Sequence, residues 1–233
     1  MMLKKLAIVL AFVLCITVLS GTAWADNIPI VNPSFETPAG PFSNLCGTGC
    51  SYSVGSFTGW TTLNGGEWQP GTYFSSIPTG NGDLVGYVNA TRSLTQDLTG
   101  QSVMANSLYT FSFYVGDRAD GQSGNYTISL ETILGGVTST LCTITDNASK
   151  IKLGTFQLES CTYTSGGSGL PGGDLFLDFT ANTGQLDVDN VSLTVQPAAG
   201  VPEPSSALLL GVGMLFLVAT LLARRKKELR LAT

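Results

Sequence analysis

Apolar and polar residues alternate over much of the middle of this 233-residue chain. The clearest segment runs from Tyr109 to Val115, where Tyr, Phe, Phe and Val occupy every second position and Thr, Ser and Tyr stand between them. Segments 126–131 and 174–179 repeat the pattern. Because successive side chains of a strand point to opposite faces, each segment predicts a strand with one buried face.

Weaker alternation predicts further strands at 83–90, 93–98, 136–145 and 153–164. No segment outside two apolar runs at the chain ends has the spacing of an amphipathic helix. About eight to ten short strands with one apolar face each pack best as two stacked sheets. We therefore predict an all-β fold, a two-sheet antiparallel sandwich over residues 26–199, between an N-terminal signal helix and a C-terminal transmembrane helix.

The last predicted strand changes phase. Apolar positions 186 and 188 fall on one face, whereas apolar positions 191, 193 and 195 fall on the other. The switch lies at Asp189 and Asn190. A side-chain period of two cannot slip in this way without a bulge or a kink, so we expect one there.

The first apolar run has the features of a secretory signal. Lys4 and Lys5 precede an apolar core at 6–19, and Ala23-Trp24-Ala25 fits an A-x-A cleavage site. We expect residues 1–25 to be removed, so that the mature chain begins at Asp26.

The second apolar run, at 207–223, carries no charge and is long enough to cross a bilayer as a helix. Arg224 and Arg225 open a basic cluster behind it, which holds the C-terminus in the cytoplasm. Ahead of it stand Val201, Pro202, Glu203 and Pro204. Proline fixes φ and removes a donor, so this stretch is extended and remains outside the helix.

The order of these three parts resembles the PEP-CTERM sorting signal, here residues 200–233, which an exosortase-type membrane protease recognises. The resemblance implies export through the inner membrane, a transient membrane anchor through the C-terminal helix, and a final place at the cell surface, in the outer membrane or outside the cell. The alternative is an ordinary single-pass anchor with a stiff linker.

The segment 26–199 is acidic, with four basic and fourteen acidic residues and hence a net charge of −10, which the whole-chain value of −5 conceals. Such a surface argues against nucleic acid as a partner, because nucleic acid requires a basic face. It is compatible with divalent cations.

Four cysteines remain after processing, and an even number in an exported chain predicts two disulfides. Proximity in sequence favours Cys46–Cys50 and Cys142–Cys161, although three pairings are possible. The chain has no histidine. This removes the Ser-His-Asp and Cys-His catalytic arrangements and makes a zinc site unfavourable.

The two ends of the predicted sandwich, 30–36 and 186–193, resemble the first and last strands of galactose-binding-like jelly rolls. Carbohydrate-binding modules of the family 4/9/22 type are similar at the same two places. Segments 94–98 and 109–113 also resemble their middle strands. The resemblance implies a jelly roll in which the first and last strands lie side by side.

The same resemblance implies a structural calcium beside those strands, with Glu36 and Asp189 as its acidic ligands and Asn32 in the opening motif. Asn190 stands where the second acid of an Asp-Asp pair is common, which lowers the charge of the site. The alternative is that Asp187 and Asp189 simply alternate outward on the last strand.

Exposed aromatic rings stack on sugars, and planar polar groups complete such sites. The stretch 57–74 supplies three candidates for glycan contact, Trp60, Trp68 and Tyr73. The alternative is that the tryptophans fill the core, as large aromatic residues often do.

We therefore expect an exported, non-catalytic protein that associates with exopolysaccharide or a biofilm matrix by binding a surface glycan. One alternative is a purely structural envelope or biofilm protein without a small ligand. The other is a glycan-active hydrolase, which needs two carboxylates about 5–9 Å apart. Fourteen acids make such a pair possible, but no motif selects any two of them.

Overall fold

The computed structural model describes residues 25–198, except 39–41, 43, 48, 79–81 and 169, together with Gly213. The predicted signal helix and transmembrane helix lie outside this set. Among the described residues, no helix has the length and apolar character needed to cross a membrane.

The described residues contain thirteen strands, more than the eight to ten that the sequence predicted. They are β1 (Asp26–Asn27), β2 (Asn44–Gly47), β3 (Cys50–Tyr52), β4 (Thr61–Thr62), β5 (Gly65–Gln69), β6 (Val85–Asn89), β7 (Arg92–Ser102), β8 (Ser107–Asp117), β9 (Asn125–Leu134), β10 (Val137–Asn147), β11 (Thr155–Thr164), β12 (Asp174–Ala181) and β13 (Gln185–Pro197). Two one-turn 3-10 helices lie at Gly71–Tyr73 and Ala148–Lys150.

The strands form two sheets, and this confirms the predicted all-β sandwich. One sheet has the order β11-β8-β13-β6-β5-β3-β2, with β1 paired to β13, and the other has the order β10-β9-β12-β7-β4. Every pairing between named strands is antiparallel.

The alternating residues of β8 fill the space between the sheets, as predicted. Tyr109, Phe111, Phe113 and Val115 are fully buried. Phe179 of β12 meets them from the opposite sheet, with its ring centroid 5.7 Å from that of Phe111 and 5.4 Å from that of Phe113. Edge-to-face contacts of this kind add to the free energy gained by burying the rings.

The first and last strands are adjacent, as the resemblance implied, but the first strand is 26–27 and not 30–36. Segment 30–36 forms bends and turns, and it contacts β13 through the Val191 N–H, which donates to the Pro33 carbonyl (2.9 Å). Asp26 of β1 pairs with Val195 of β13, and the segment that follows continues along the sandwich. Gln96 of β7 binds both backbone polar groups of Val31 in this segment: its Oε1 accepts from the Val31 N–H (2.7 Å) and its Nε2 donates to the Val31 carbonyl (2.9 Å). Gln96 is buried, so this pair of bonds satisfies an amide that would otherwise destabilise the fold.

The phase break in β13 is a β-bulge. The register with β8 shifts between Asp189 and Ser192, and Asn190 has a positive φ of 50°. The extra residue turns the second apolar set back toward the core, so that Val188 before the bulge and Val191 after it are both buried.

Both disulfides have the pairing that proximity in sequence favours. Cys46–Cys50 closes the β2–β3 hairpin. Cys142–Cys161 joins β10 to β11, which are edge strands of different sheets. The second bond therefore ties the two layers of the sandwich together at one side.

Candidate functional site

A second apolar cluster lies on the face of the larger sheet that points away from the five-stranded sheet. Val88 of β6 points into the core between the sheets, and alternation therefore places Tyr87 on the opposite face. Trp68 of β5 lies on the same outer face, with its ring centroid 6.3 Å from that of Tyr87. Phe74, which follows the 3-10 turn at 71–73, packs against Trp68 from the side (6.1 Å).

A cavity of about 360 Å³ opens beside this cluster, and we call it the aromatic cavity. Its lining comes from the β2–β3 hairpin, β5, β6, the end of β8 and the start of β13. The lining residues are Cys46, Tyr52, Val54, Asn64, Trp68, Tyr87, Asn89, Arg118 and Gln185. Apolar ring surface and amide groups thus face one volume, which is the composition of a small-molecule site.

Arg118 is held in one position by contacts on several sides. Its guanidinium lies 4.9 Å from the Trp68 ring centroid and 4.8 Å from the Tyr73 ring centroid. It donates to both carboxylate oxygens of Asp120 (3.0 and 2.7 Å) and to Oε1 of Gln185 (2.5 Å). A planar guanidinium stacked on rings and bonded in its own plane is a rigid part of the wall.

Asp187 is a fully buried carboxylic acid next to the cavity. On β13 it pairs with Tyr87, and its Oδ1 accepts from Nε2 of Gln185 (2.6 Å). Burial raises its pKa to about 7, against the smaller lowering effects of Gln185, Arg118 and the nearby Trp68 indole. Within the described part of the chain, Trp68 Nε1 and Asp187 Oδ2 have no well-formed hydrogen bond. Asp187 does not line the cavity, whereas its neighbours Gln185 and Trp68 do.

The three aromatic residues predicted to contact a glycan occupy different places. The prediction is wrong for Trp60, which is 1% exposed in the core between the sheets. Its ring packs against Phe35 (5.2 Å) and Phe179 (5.7 Å), and its Nε1 donates to the Asn32 carbonyl (3.0 Å). Trp60 thus holds the opening segment of the domain, because its indole supplies both bulk and a donor there.

Trp68 forms part of the wall of the aromatic cavity, although its side chain is largely buried. Tyr73 lies one layer behind it, where it stacks on Arg118 and donates from its hydroxyl to the Cys46 carbonyl (3.3 Å). The structure therefore brings Trp68 and Tyr73 together at one site and separates Trp60 from both.

The acids predicted to bind calcium, Glu36 and Asp189, lie close enough that Glu36 raises the pKa of Asp189. Burial is the larger cause, and together they raise that pKa to about 8. Glu36 Oε1 accepts from the Leu84 N–H (2.8 Å). Asp189 Oδ1 accepts from the Asn190 N–H (2.7 Å), while its buried Oδ2 has no partner in the described part of the chain.

These observations fit a cation. Two neighbouring carboxylates repel each other, and an unpartnered buried carboxylate oxygen is costly unless a positive charge lies nearby. The described residues contain no group of three or more acids or cysteines arranged to hold a metal. Further ligands would therefore have to be carbonyl, amide or water oxygens, all of which calcium accepts.

Sequence reasoning missed most of the cavity. Tyr87, Asn64, Asn89 and Gln185 of its lining, and Asp187 beside it, were not singled out for ligand contact. Two signals were present. Arg118 is one of only four basic residues in segment 26–199, and position 187 is a charged residue between the apolar positions 186 and 188 of a strand.

Comparison with known families identifies both parts of the chain. A profile of the PEP-CTERM protein-sorting motif matches residues 200–227, which confirms the sorting signal predicted from the sequence. The motif indicates an exported protein that is sorted to the cell surface. Comparison with curated proteins gives no match.

Solved structures similar to this chain include carbohydrate-binding modules. A family 4 module ("CBM4 structure and function") is 13% identical, with a TM-score of 0.43, covering 72% of this chain and 100% of its own. The CBM22-1 xylan-binding domain of Paenibacillus barcinonensis Xyn10C is 14% identical, with a TM-score of 0.46, 77% coverage of this chain and 100% of its own. A family 16 module is 10% identical, with a TM-score of 0.39 and coverages of 70% and 97%. At these values the matches carry no argument about ligand or activity.

The sandwich matches a family other than the carbohydrate-binding modules. The profile of the HpiC1-like family, described as HpiC1 cyclase, spans residues 26–194. This range includes the aromatic cavity, Asp187, and both Glu36 and Asp189. Since the match covers well over half of the 233 residues, the protein belongs to the HpiC1-like family.

Proposed function

We propose that this protein is an exported surface protein that binds a glycan in the aromatic cavity. The observation that carries the proposal is the composition of that cavity: Tyr52, Trp68 and Tyr87 face the same volume as the side chains of Asn64 and Asn89. Sugars combine apolar ring faces with hydroxyl groups that both donate and accept. Aromatic rings and primary amides complement those two surfaces.

The sorting motif favours a location in which such a ligand is abundant. Exosortase processing would release the chain from its anchor and leave the sandwich outside the inner membrane. Exopolysaccharide or another surface glycan is the partner that we propose there, and association with a biofilm matrix would follow. The net charge of −10 for segment 26–199 favours a neutral glycan over a strongly anionic one.

A glycan array with the full-length protein in detergent tests the proposal. We expect binding to a subset of neutral glycans, lost or reduced at least tenfold in a Tyr52→Ala variant. Tyr52 is the suitable position because it is half-buried on a three-residue strand next to the edge strand β2, so its removal disturbs the fold less than removal of the buried Trp68. A Leu63→Ala variant, at a side chain that is 83% exposed, is the matched control. Absence of any glycan binding would contradict the proposal and leave a purely structural envelope protein.

A second candidate function is proton-transfer chemistry at Asp187, of the kind that a cyclase uses. The observation in its favour is an acid with a pKa of about 7, because such a group can both give and take a proton near neutral pH. Aromatic faces of Trp68 and Tyr87 nearby would stabilise positive charge on a substrate. Membership of the HpiC1-like family, which takes its name from the HpiC1 cyclase, favours this candidate.

The burial of Asp187 makes this candidate function less favoured than glycan binding. Asp187 is fully buried, so Gln185 or Trp68 would have to move before a substrate could reach its carboxyl group. Mass spectrometry of the protein incubated with unsaturated substrates that can cyclise tests the idea. An isomeric product formed by the wild type and absent with Asp187→Asn would establish it. No product with the wild type would exclude it for those substrates.

We further propose a structural calcium between Glu36 and Asp189. Its role would be to join the opening segment to the bulge of β13, because the two ligands come from opposite ends of the domain. A cation there would neutralise the repulsion between the two carboxylates.

A further inference from the structure

A second cavity of about 470 Å³ adjoins the aromatic cavity. The two share Asn64, Asn89, Arg118 and Gln185, so they form one continuous groove. The second cavity differs from the first because no aromatic ring lines it. Its remaining lining residues are Ala90, Gln122 and Gly184, and we call this part of the groove the amide shelf.

The amide shelf contains side-chain amide atoms that make no hydrogen bond to another described residue. Asn89 Nδ2 donates to Asn64 Oδ1 (3.3 Å), which leaves Asn64 Nδ2 and Asn89 Oδ1 without a partner in the described part of the chain. The side-chain amide of Gln122 likewise makes no hydrogen bond to any described residue, and it is exposed. Two donor groups and two acceptor oxygens therefore face the groove, since each primary amide has both functions.

The backbone beneath these amides is fixed. The Asn89 N–H donates to the Asn64 carbonyl (2.8 Å), and the Gln185 N–H donates to the Gln122 carbonyl (2.9 Å). Gln185 is further held between Arg118 and Asp187. Groups on a fixed backbone bind a ligand at a smaller entropic cost than groups on a mobile one.

The amide shelf presents little net charge. Among the described residues, Arg118 is the only ionisable one that lines the shelf, and the carboxylate of Asp120 lies against that guanidinium at 2.7 Å. An anionic ligand would meet Asp120 and the excess acidity of the domain, while a cationic ligand would meet Arg118. A neutral ligand rich in hydroxyl groups meets no such repulsion and can satisfy amide donors and acceptors together.

We propose that the amide shelf is a second subsite, which holds the next unit of a neutral oligosaccharide whose first unit occupies the aromatic cavity. This inference rests on the proposed glycan-binding function and names its substrate class as neutral chains of two or more units. The ring contacts of the aromatic cavity provide affinity for the first unit. The amides of the shelf add affinity only when the chain is long enough to reach them.

Calorimetric titration of the full-length protein in detergent tests this inference. Its ligands are mono-, di- and tetrasaccharides of the neutral series that binds best on the array, and an acidic oligosaccharide of equal length. We expect affinity to rise about tenfold or more from one unit to two, as two or three added hydrogen bonds would give. A Gln122→Ala variant should reduce that increase and leave monosaccharide affinity unchanged, because Gln122 lines the amide shelf but not the aromatic cavity.

Gln157→Ala is the matched control, because Gln157 is an exposed amide on β11, away from the groove. Equal affinity for one unit and two, or tighter binding of the acidic chain, would overturn the subsite and leave the glycan-binding function intact. An unchanged length dependence in the Gln122→Ala variant would also overturn it. Failure of the wild type to bind any of these sugars would overturn the function as well.

Discussion

At the scale of single residues, the two tryptophans of segment 57–74 show how one residue type serves two purposes. Trp60 is part of the core, and its indole N–H binds the opening segment through the Asn32 carbonyl. Trp68 lies on the other face of the larger sheet, beside Arg118 and Asp187. The sequence alone does not separate them, because burial depends on which face of which sheet each residue occupies.

This difference predicts opposite outcomes for two substitutions. Trp60→Ala should lower the free energy of unfolding by about 3–5 kcal/mol, the range for removing a large buried aromatic side chain. Trp68→Phe should keep most of that stability and weaken glycan binding, because the ring against Arg118 becomes smaller. Urea denaturation measures the first effect and calorimetric titration the second. A Trp60→Ala variant as stable as the wild type would mean that Trp60 is not part of the core.

The neighbouring acids Glu36 and Asp189 predict a response to calcium. The melting temperature of the protein should rise in calcium and fall in chelator, because an ion that binds only the folded state stabilises it. The gain is about 2.7 kcal/mol at a hundredfold excess over the Kd. Glu36→Gln should abolish the difference, and Asp187→Asn should keep it. Equal melting temperatures in millimolar calcium and in chelator would show that the site is absent.

At the scale of elements, the long strands could be predicted and the short ones could not. β8, β9 and β12 have one apolar face each over eight or more residues, so the period of two is unmistakable. β2 to β5 are two to five residues long, too short to give an alternation that can be detected, and β2 and β5 also contain glycine. Glycine is required there: a Cβ at Gly66 would lie 2.1 Å from the Ser53 carbonyl oxygen.

Three lining residues of the aromatic cavity lie on these unpredicted strands, and Val54 and Asn64 lie in the loops beside them, which explains why the sequence identified so little of it. The bulge of β13, in contrast, was visible as a change of phase at Asp189 and Asn190. A bulge changes the alternation of apolar residues within one strand, so the sequence of that strand is enough to predict it. A cavity depends on how several strands are ordered in a sheet.

The Cys142–Cys161 disulfide predicts a measurable contribution to stability. It closes a loop of 19 residues and joins edge strands of the two sheets. In the chain-entropy model, replacing both cysteines with serine should lower the free energy of unfolding by about 3 kcal/mol. The same change at Cys46 and Cys50 should cost less, because that loop spans only 4 residues. Equal losses in urea denaturation would show that loop closure does not determine the stabilisation.

The outer face of the five-stranded sheet predicts a dependence on pH. Burial, together with repulsion from Asp178, raises the pKa of Glu131 above its ordinary value of 4.5. Because the folded state favours the protonated form, the stability from this group is fully present below about pH 4.5 and is lost as pH rises through the raised pKa.

Glu131→Gln should therefore reduce the loss of stability with rising pH and leave stability at pH 4 nearly unchanged. Urea denaturation at several pH values measures both slopes. Glu159→Gln, on β11, controls for the change in net charge. A Glu131→Gln variant with the same pH slope as the wild type would contradict the assignment.

At the scale of the whole molecule, the basic residues are distributed unevenly along the chain. Most basic residues stand in the two terminal segments, 1–25 and 200–233, and segment 26–199 contains only four. The folded domain and the sorting signal are thus chemically different parts, matched by two separate family profiles at 26–194 and 200–227. Cleavage between them would leave an acidic, soluble sandwich.

This division predicts that both apolar terminal runs are absent from the mature protein. Intact-mass analysis of protein from the native host should give a chain that begins at Asp26 and lacks residues 207–223. Glu203→Ala should block processing but keep membrane insertion, because the apolar run and the basic cluster behind it are unchanged. The unprocessed variant should then fractionate with membranes, while the wild type appears at the cell surface or in the medium. Glu228→Ala, behind the basic cluster, removes the same charge and should be processed normally. If the wild type retains 207–223, the segment is a permanent anchor, and the folded domain stays attached to the membrane.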